Sequence, residues 1–93
     1  MKRKYSVRTS SRYRRELKKA ISRGYDKFKM ITVVNLLATG DPLPKNYDDH
    51  ALHGNWKGYR ECHVDPDWLL VYRIYQDELI LLLTSTGTHS DIF

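Results

Sequence analysis

The chain lacks any long hydrophobic run: its apolar stretch Leu79 to Leu83 holds five residues, against the ~20 needed to cross a bilayer as a helix. Met1-Lys-Arg-Lys is followed by no apolar segment, so no secretory signal peptide is expected. One cysteine, Cys62, leaves no partner for an internal disulfide and fits a reducing cytoplasm. Internal repeats and low-complexity segments are absent as well. With 93 residues there is apolar material for one modest core, so a single domain over 1–93 is expected.

What is present is unevenly placed. Residues 1–30 carry twelve Lys/Arg against Glu16 and Asp26, a net of +10, and no histidine. Residues 31–93 carry four Lys/Arg against nine acids, a net of −5, and all four histidines. A basic segment of this density suits a polyanion such as nucleic acid or an acidic protein partner. Its plain alternative is a solvated helix face.

The chain reads as α+β. Tyr5 to Thr9 suggests a short first strand. Ser10 or Ser11 then offers an N-cap to a helix with Tyr13, Leu17, Ala20 and Ile21 on one stripe, and Gly24 lies just past its end. A second helix, about Asp26 to Thr39, is expected to turn Phe28, Ile31, Val34, Leu37 and Ala38 inward and to stop at Gly40. Asp41-Pro-Leu-Pro breaks the pattern and opens a long loop to Lys57. Three strands follow, Tyr59 to Val64, Trp68 to Tyr75 and Glu78 to Ser85, before a loop-like tail that has room for a last short strand. The expected architecture is a helical hairpin on one face of a mainly antiparallel sheet.

Two-residue turns at Pro66-Asp67 and Gln76-Asp77 would pair Asp65 with Trp68 and Tyr75 with Glu78. One face would then hold Glu61, His63, Trp68, Leu70, Tyr72, Leu83 and Ser85. The other would hold Cys62, Val64, Leu69, Val71, Ile80 and Leu82 and receive the helices. His63, Asp67 and His89, from three separate segments, would meet at one end of the sheet. A lone strand histidine or a turn aspartate is most often structural, whereas such convergence is how sites are built.

His50, His53 and His63 offer imidazoles to a metal, but no cysteine pair or H-E-x-x-H pattern accompanies them, and no metal or other cofactor is expected. Cys62 and His63 fall on opposite faces, against a Cys–His nucleophile pair. Trp56, Trp68 and Tyr72 suit base stacking or core packing. Several histidines and a carboxylate without a nucleophile fit paired proton transfer on RNA, which supplies its own 2′-hydroxyl.

The segments "DHALHGNWKGYRECHVDPDWLLVYRI" and "TGTHSDIF" closely resemble the YafQ branch of the RelE superfamily of bacterial toxins. The series D-H-x-L, W-K-G-Y-R, H-x-x-P-D-W and G-T-H carries the resemblance, while the helices match in layout. The resemblance implies a RelE-like fold with a four-stranded twisted sheet and ribosome-dependent cleavage of mRNA in the A site, without a metal, in the cytoplasm. Its implied partners are the ribosome, mRNA and an antitoxin of the DinJ/RelB kind. Carried over by position, the catalytic set is His50, His63, Asp67 and His89, and Phe93 matches the aromatic used against an mRNA base. Within that scheme His89 is the general acid, His50 or His63 handles the 2′-hydroxyl, and Asp67 fixes an imidazole tautomer. Glu61 sits at a usually acidic position, Trp68 belongs to the motif, and His53 has no matching role.

One departure stands out. Relatives usually carry Arg before the T-G-[ST]-H motif, and this chain has Ser85. Its loss removes a cation for the transition-state charge and leaves Lys57 or Arg60 as substitutes. It also favours a second reading, a non-catalytic binding protein of the same fold.

Overall fold

A computed structural model describes residues 2–93. Strand β1 (Ser6–Thr9) leads into helix α1 (Ser11–Ser22), followed by helix α2 (Lys27–Thr39). After two 3-10 turns and a two-residue strand, β2 (His50–Ala51), come β3 (Arg60–Asp65), β4 (Trp68–Tyr75), β5 (Ile80–Gly87) and the short helix α3 (His89–Ile92). The sheet has five strands in the order β1-β5-β4-β3-β2, with β1 parallel to β5 and the other pairs antiparallel. The α+β class is as expected. The fifth strand, β2, lies inside the segment read as loop and is too short to leave a sequence pattern.

The helix boundaries follow from capping chemistry. Ser10 Oγ accepts the Tyr13 amide and donates to the Thr84 carbonyl at 2.7 Å, so one hydroxyl both starts α1 and ties it to β5. Asp26 accepts the Phe28 amide at the start of α2, and Gly40 ends that helix at φ 83°. Lys4 and Tyr5 close over Gly40 so tightly that a Cβ there would lie 2.7 Å from Lys4 Cδ.

The inward face of α2 differs from expectation. Met30, Val33, Leu37 and Ala38 are buried, while Phe28 and Ile31 are 66% and 48% exposed. The helix is apolar around most of its circumference, so its own periodicity selects no face and packing on the sheet decides.

The sheet register also departs from the two-residue-turn reading. Asp65 does pair with Trp68, but His63 pairs with Leu69, leaving Val64 as an extra bulged residue. Tyr75 pairs with Ile80 rather than Glu78, across a four-residue connection that includes Leu79 at φ 52°. A second bulge places Thr84 between the pairs Leu83–Tyr72 and Ser85–Val71. Each one-residue bulge reverses which side chains share a face, whereas the two-residue shift at the turn does not.

Trp68, Leu70, Tyr72 and Leu83 therefore face the helices with Cys62 and Val64, in a core completed by Tyr13, Ala20, Met30, Val33 and Leu37. The His63 side instead carries Leu69 and Val71, which pack with Ile92 under Leu52, Trp56 and Tyr59. Fully buried Trp68 anchors the main core, and truncating it to Ala would cost ~3–5 kcal/mol.

Candidate active site

Strand β2 brings His50 beside Glu61 of β3, its register partner. His50 Nδ1 lies 2.7 Å from the Asp48 carbonyl, and its Nε2 lies 3.3 Å from Glu61 Oε1. A carbonyl only accepts, so Nδ1 carries a proton and the ring turns Nε2 toward the Glu61 carboxylate. Glu61 is 6% exposed, and its Oε2 has no hydrogen-bond partner among the described residues. The imidazole is thus the group that makes this buried carboxylate tolerable.

His63 is fixed by the hairpin tip. Its Nδ1 lies 3.2 Å from the Pro66 carbonyl and must donate to it, which turns the Nε2 lone pair outward. Asp48 Oδ2 stands 3.5 Å from that Nε2. Asp48 touches both histidines, through its carbonyl and its carboxylate, from a left-handed backbone conformation at φ 49°. With Asn46, Tyr47, Asp65 and Pro66 it lines an open cleft of about 440 Å³ in front of His63. Sequence reading missed Asp48. Its only signal is an acidic residue just before the D-H motif, a type that tolerates left-handed φ.

Asp67 does not hold an imidazole. It accepts a hydrogen bond from Tyr25 OH at 3.2 Å, and Tyr25 stacks on Trp68 with ring centroids 4.9 Å apart. Desolvation and then Asp67 raise the Tyr25 hydroxyl above its ordinary range. The tautomer-fixing task given to Asp67 therefore falls to the Pro66 carbonyl. Of the two tasks that suit Trp68, base stacking or core packing, the structure shows the second: it has no exposed surface and packs in the helix-facing core.

His89 opens α3, whose cap is reciprocal: Thr88 accepts from the Asp91 amide and Asp91 accepts from the Thr88 amide. The Thr88 amide and then the Thr88 side chain hold the Asp91 carboxyl below the usual carboxylate range. The T-x-x-D spacing was the readable sign that this tail is helical rather than loop or strand. His89 is exposed and packs on Phe93 at 5.1 Å, and Phe93 meets Trp56 edge-on at 5.6 Å. Leu69 pairs with His63 on one side and Gly87 on the other. His63 and the origin of the His89 segment thus flank Leu69, two strand spacings or ~10 Å apart.

The candidate cations part company. Arg60 alternates to the helix side, where Asp49 accepts from Arg60 Nε at 3.3 Å and from Tyr72 OH. Burial and Asp49 push the Tyr72 hydroxyl far up, as expected of a neutral donor locked onto a carboxylate. Arg60 is thus engaged in an ion pair with Asp49 on the helix side. Lys57 is exposed beyond the second 3-10 turn. Ser85 shares the His63 side through its pairing with Val71 but is fully buried, donating to Glu16 Oε1 at 2.6 Å. Glu16 also receives the Thr86 amide and pairs with Arg12 at 3.3 Å. Among the described residues no cluster of three or more His, Cys, Asp or Glu is placed to hold a metal, and no helix is long and apolar enough to cross a membrane.

This chain is 40% identical over 88 residues to the mRNA interferase toxin YafQ of Escherichia coli K12, covering 94% of each protein. Its fold matches YafQ in the E. coli DinJ–YafQ complex with a TM-score of 0.87 at 37% identity, covering 96% of this chain and 98% of that one. A metal-bound toxin from Helicobacter pylori matches at 0.90 and 42% identity over 96% and 99% of the two chains. The family model for the bacterial toxin YafQ of type II toxin–antitoxin systems matches residues 5–93. The chain belongs to the YafQ family of type II toxin–antitoxin toxins.

Proposed function

We propose that the protein is a cytoplasmic, ribosome-dependent endoribonuclease that cuts mRNA in the A site by attack of the 2′-hydroxyl on the adjacent phosphate. The observation that supports this reading is that His63 and Gly87, the strand end leading to His89, pair with Leu69 from opposite sides. His63 presents an Nε2 lone pair fixed by the Pro66 carbonyl, and the reading takes His89, two residues beyond Gly87, to reach in from the other side. A phosphate over Leu69 would have a base on one side and an acid on the other. His63 takes the 2′ proton, Asp48 stabilises the resulting imidazolium, and His89 protonates the departing 5′ oxygen. His50, held between the Asp48 carbonyl and Glu61, positions Asp48 beside His63 in a site without an Arg at position 85. Phe93 and Lys57 bind the flanking RNA.

The basic residues of 1–30 engage ribosomal RNA. An antitoxin of the DinJ kind neutralises the toxin, as supported by the E. coli complex. Co-purification with the product of the adjacent gene tests that partner. The chemistry itself is tested on programmed ribosomes, with products ending in a 2′,3′-cyclic or 3′-phosphate and cleavage surviving EDTA once ribosome integrity is matched. A 3′-hydroxyl end contradicts 2′-hydroxyl attack, and EDTA-sensitive cleavage contradicts metal independence. Ser85, tied to Glu16, favours the second reading, a binding protein that occupies the ribosome without cutting. Ribosome association with intact mRNA would establish it.

A further inference from the structure

Six side chains form a continuous ladder from the far end of β4 to His89. Tyr75 lies 5.0 Å from the Arg73 guanidinium, which lies 5.3 Å from Tyr59. Tyr59 meets Trp56 at 5.5 Å, Trp56 meets Phe93 at 5.6 Å, and Phe93 meets His89 at 5.1 Å. All six are partly or fully exposed. Arg73 is the unusual member. It belongs to none of the ion pairs among the described residues. Two tyrosine rings hold its guanidinium instead, and its Cζ lies 3.5 Å from where a side chain on Gly58 would begin.

A guanidinium stacked on aromatic rings keeps its in-plane N–H donors available, and those match phosphate oxygens. The neighbouring rings offer π-faces to bases of any identity. We propose that this ladder is a binding track for the single-stranded RNA flanking the cleaved bond, with Arg73 clamping a backbone phosphate and Tyr59 and Trp56 stacking bases. The track rests on the RNA-cleaving reading and extends it beyond Phe93 through Trp56, Tyr59 and Arg73 to Tyr75. Packing alone would account for Tyr59 and Trp56, which shelter Leu69 and Val71. It would not account for an arginine with two rings and no carboxylate.

The test measures binding, so that it does not depend on cleavage. A fluorescein-labelled RNA decamer, 2′-O-methylated throughout, lacks the nucleophile and stays intact. Anisotropy titrations at several salt concentrations would compare the parent, Arg73→Ala, Arg73→Met and Tyr59→Leu. Arg73→Met keeps an unbranched apolar stem over the rings and loses only the charge. Both Arg73 variants should bind about tenfold more weakly, and the slope of log K against log salt should become shallower by ~0.7, one single-strand phosphate contact. Tyr59→Leu should weaken binding roughly fivefold or more with the slope unchanged.

A folded Arg73→Met that binds within twofold of the parent at the parent's slope overturns the clamp, and a parent that binds no decamer overturns the track. Cleavage of mRNA on programmed ribosomes is scored separately. Parent cleavage together with an unaltered Arg73→Met removes the track and leaves the reaction standing. Decamer binding without cleavage by the parent removes the reaction and leaves an RNA-binding surface.

Discussion

The two imidazoles assigned to proton transfer are held in opposite ways. On the β2–β3 side, His50 and His63 each spend Nδ1 on a backbone carbonyl and face a carboxylate with Nε2. On the β5–α3 side, His89 rests its ring on Phe93, makes no side-chain hydrogen bond among the described residues, and is exposed. A base must present a lone pair before the reaction starts, so fixing its tautomer in advance is useful. An acid that meets its leaving oxygen only after substrate is bound needs reach and an adjustable ring. The difference suggests a preorganised half that activates the nucleophile and an adaptable half completed by RNA.

Removing either histidine should give the largest effects. His89→Ala and His63→Ala should each lower single-turnover cleavage on programmed ribosomes by ~10²–10⁴ while ribosome binding persists. A loss under about threefold for either, less than ~1 kcal/mol of barrier, would remove it from the chemistry.

The two aspartates sharpen the comparison. Asp48→Asn should cost about tenfold, since its charge favours the His63 imidazolium that forms only in the transition state. Asp67→Asn should cost no more than about twofold, because Asp67 serves Tyr25. Reversed magnitudes would restore Asp67 as the imidazole's partner.

Ser85→Arg tests the missing cation. Glu16 already claims position 85, so the new guanidinium should pair with it and raise cleavage only about threefold. Ser85→Arg with Glu16→Gln should reach about tenfold, ~1.4 kcal/mol. Measured single-turnover rates that do not rise in either folded variant would mean that position 85 does not reach the phosphate.

The smallest effect concerns the scaffold of the adaptable half. Asp91 has a depressed carboxyl, held mainly by the Thr88 amide. Its capping contribution is therefore fully present above the unfolded value of ~3.9 and fades as pH falls through the lower folded value. NMR signals of Ile92 and Phe93 should report progressive fraying of α3 as the pH is lowered below about 4 while the core signals hold. A tail unchanged over that range would show that the cap does not order it.

The sequence was informative where local chemistry decides. The pair Ser10-Ser11 offered the first cap and Gly40 the second helix's stop, the start near Asp26 was close, and the Asp65–Trp68 pair followed from the Pro66-Asp67 turn. It misled where one extra residue or a tertiary choice decides. Bulges at Val64 and Thr84 have no composition signal, and each exchanges the two faces. The apolar cluster around Leu69 makes both faces hydrophobic, so patterning could not reveal the error. His63 and Ser85 still fell on one side because Glu61, Val71 and Ser85 lie in one row of the observed register. Asp48 and the Pro66 carbonyl were invisible because their roles depend on a backbone conformation and a peptide oxygen rather than a motif.

The division of labour between His63 and His89 is tested most directly by mRNA whose scissile 5′ oxygen is replaced by sulfur. A thiolate leaves without being protonated, so a general acid becomes dispensable while the base is still required. On programmed ribosomes carrying this mRNA, His89→Ala should cleave within about threefold of the parent, whereas His63→Ala should keep its full defect of ~10² or more. A His89→Ala defect that remains undiminished with the sulfur-linked substrate would contradict the assignment of His89 as the acid.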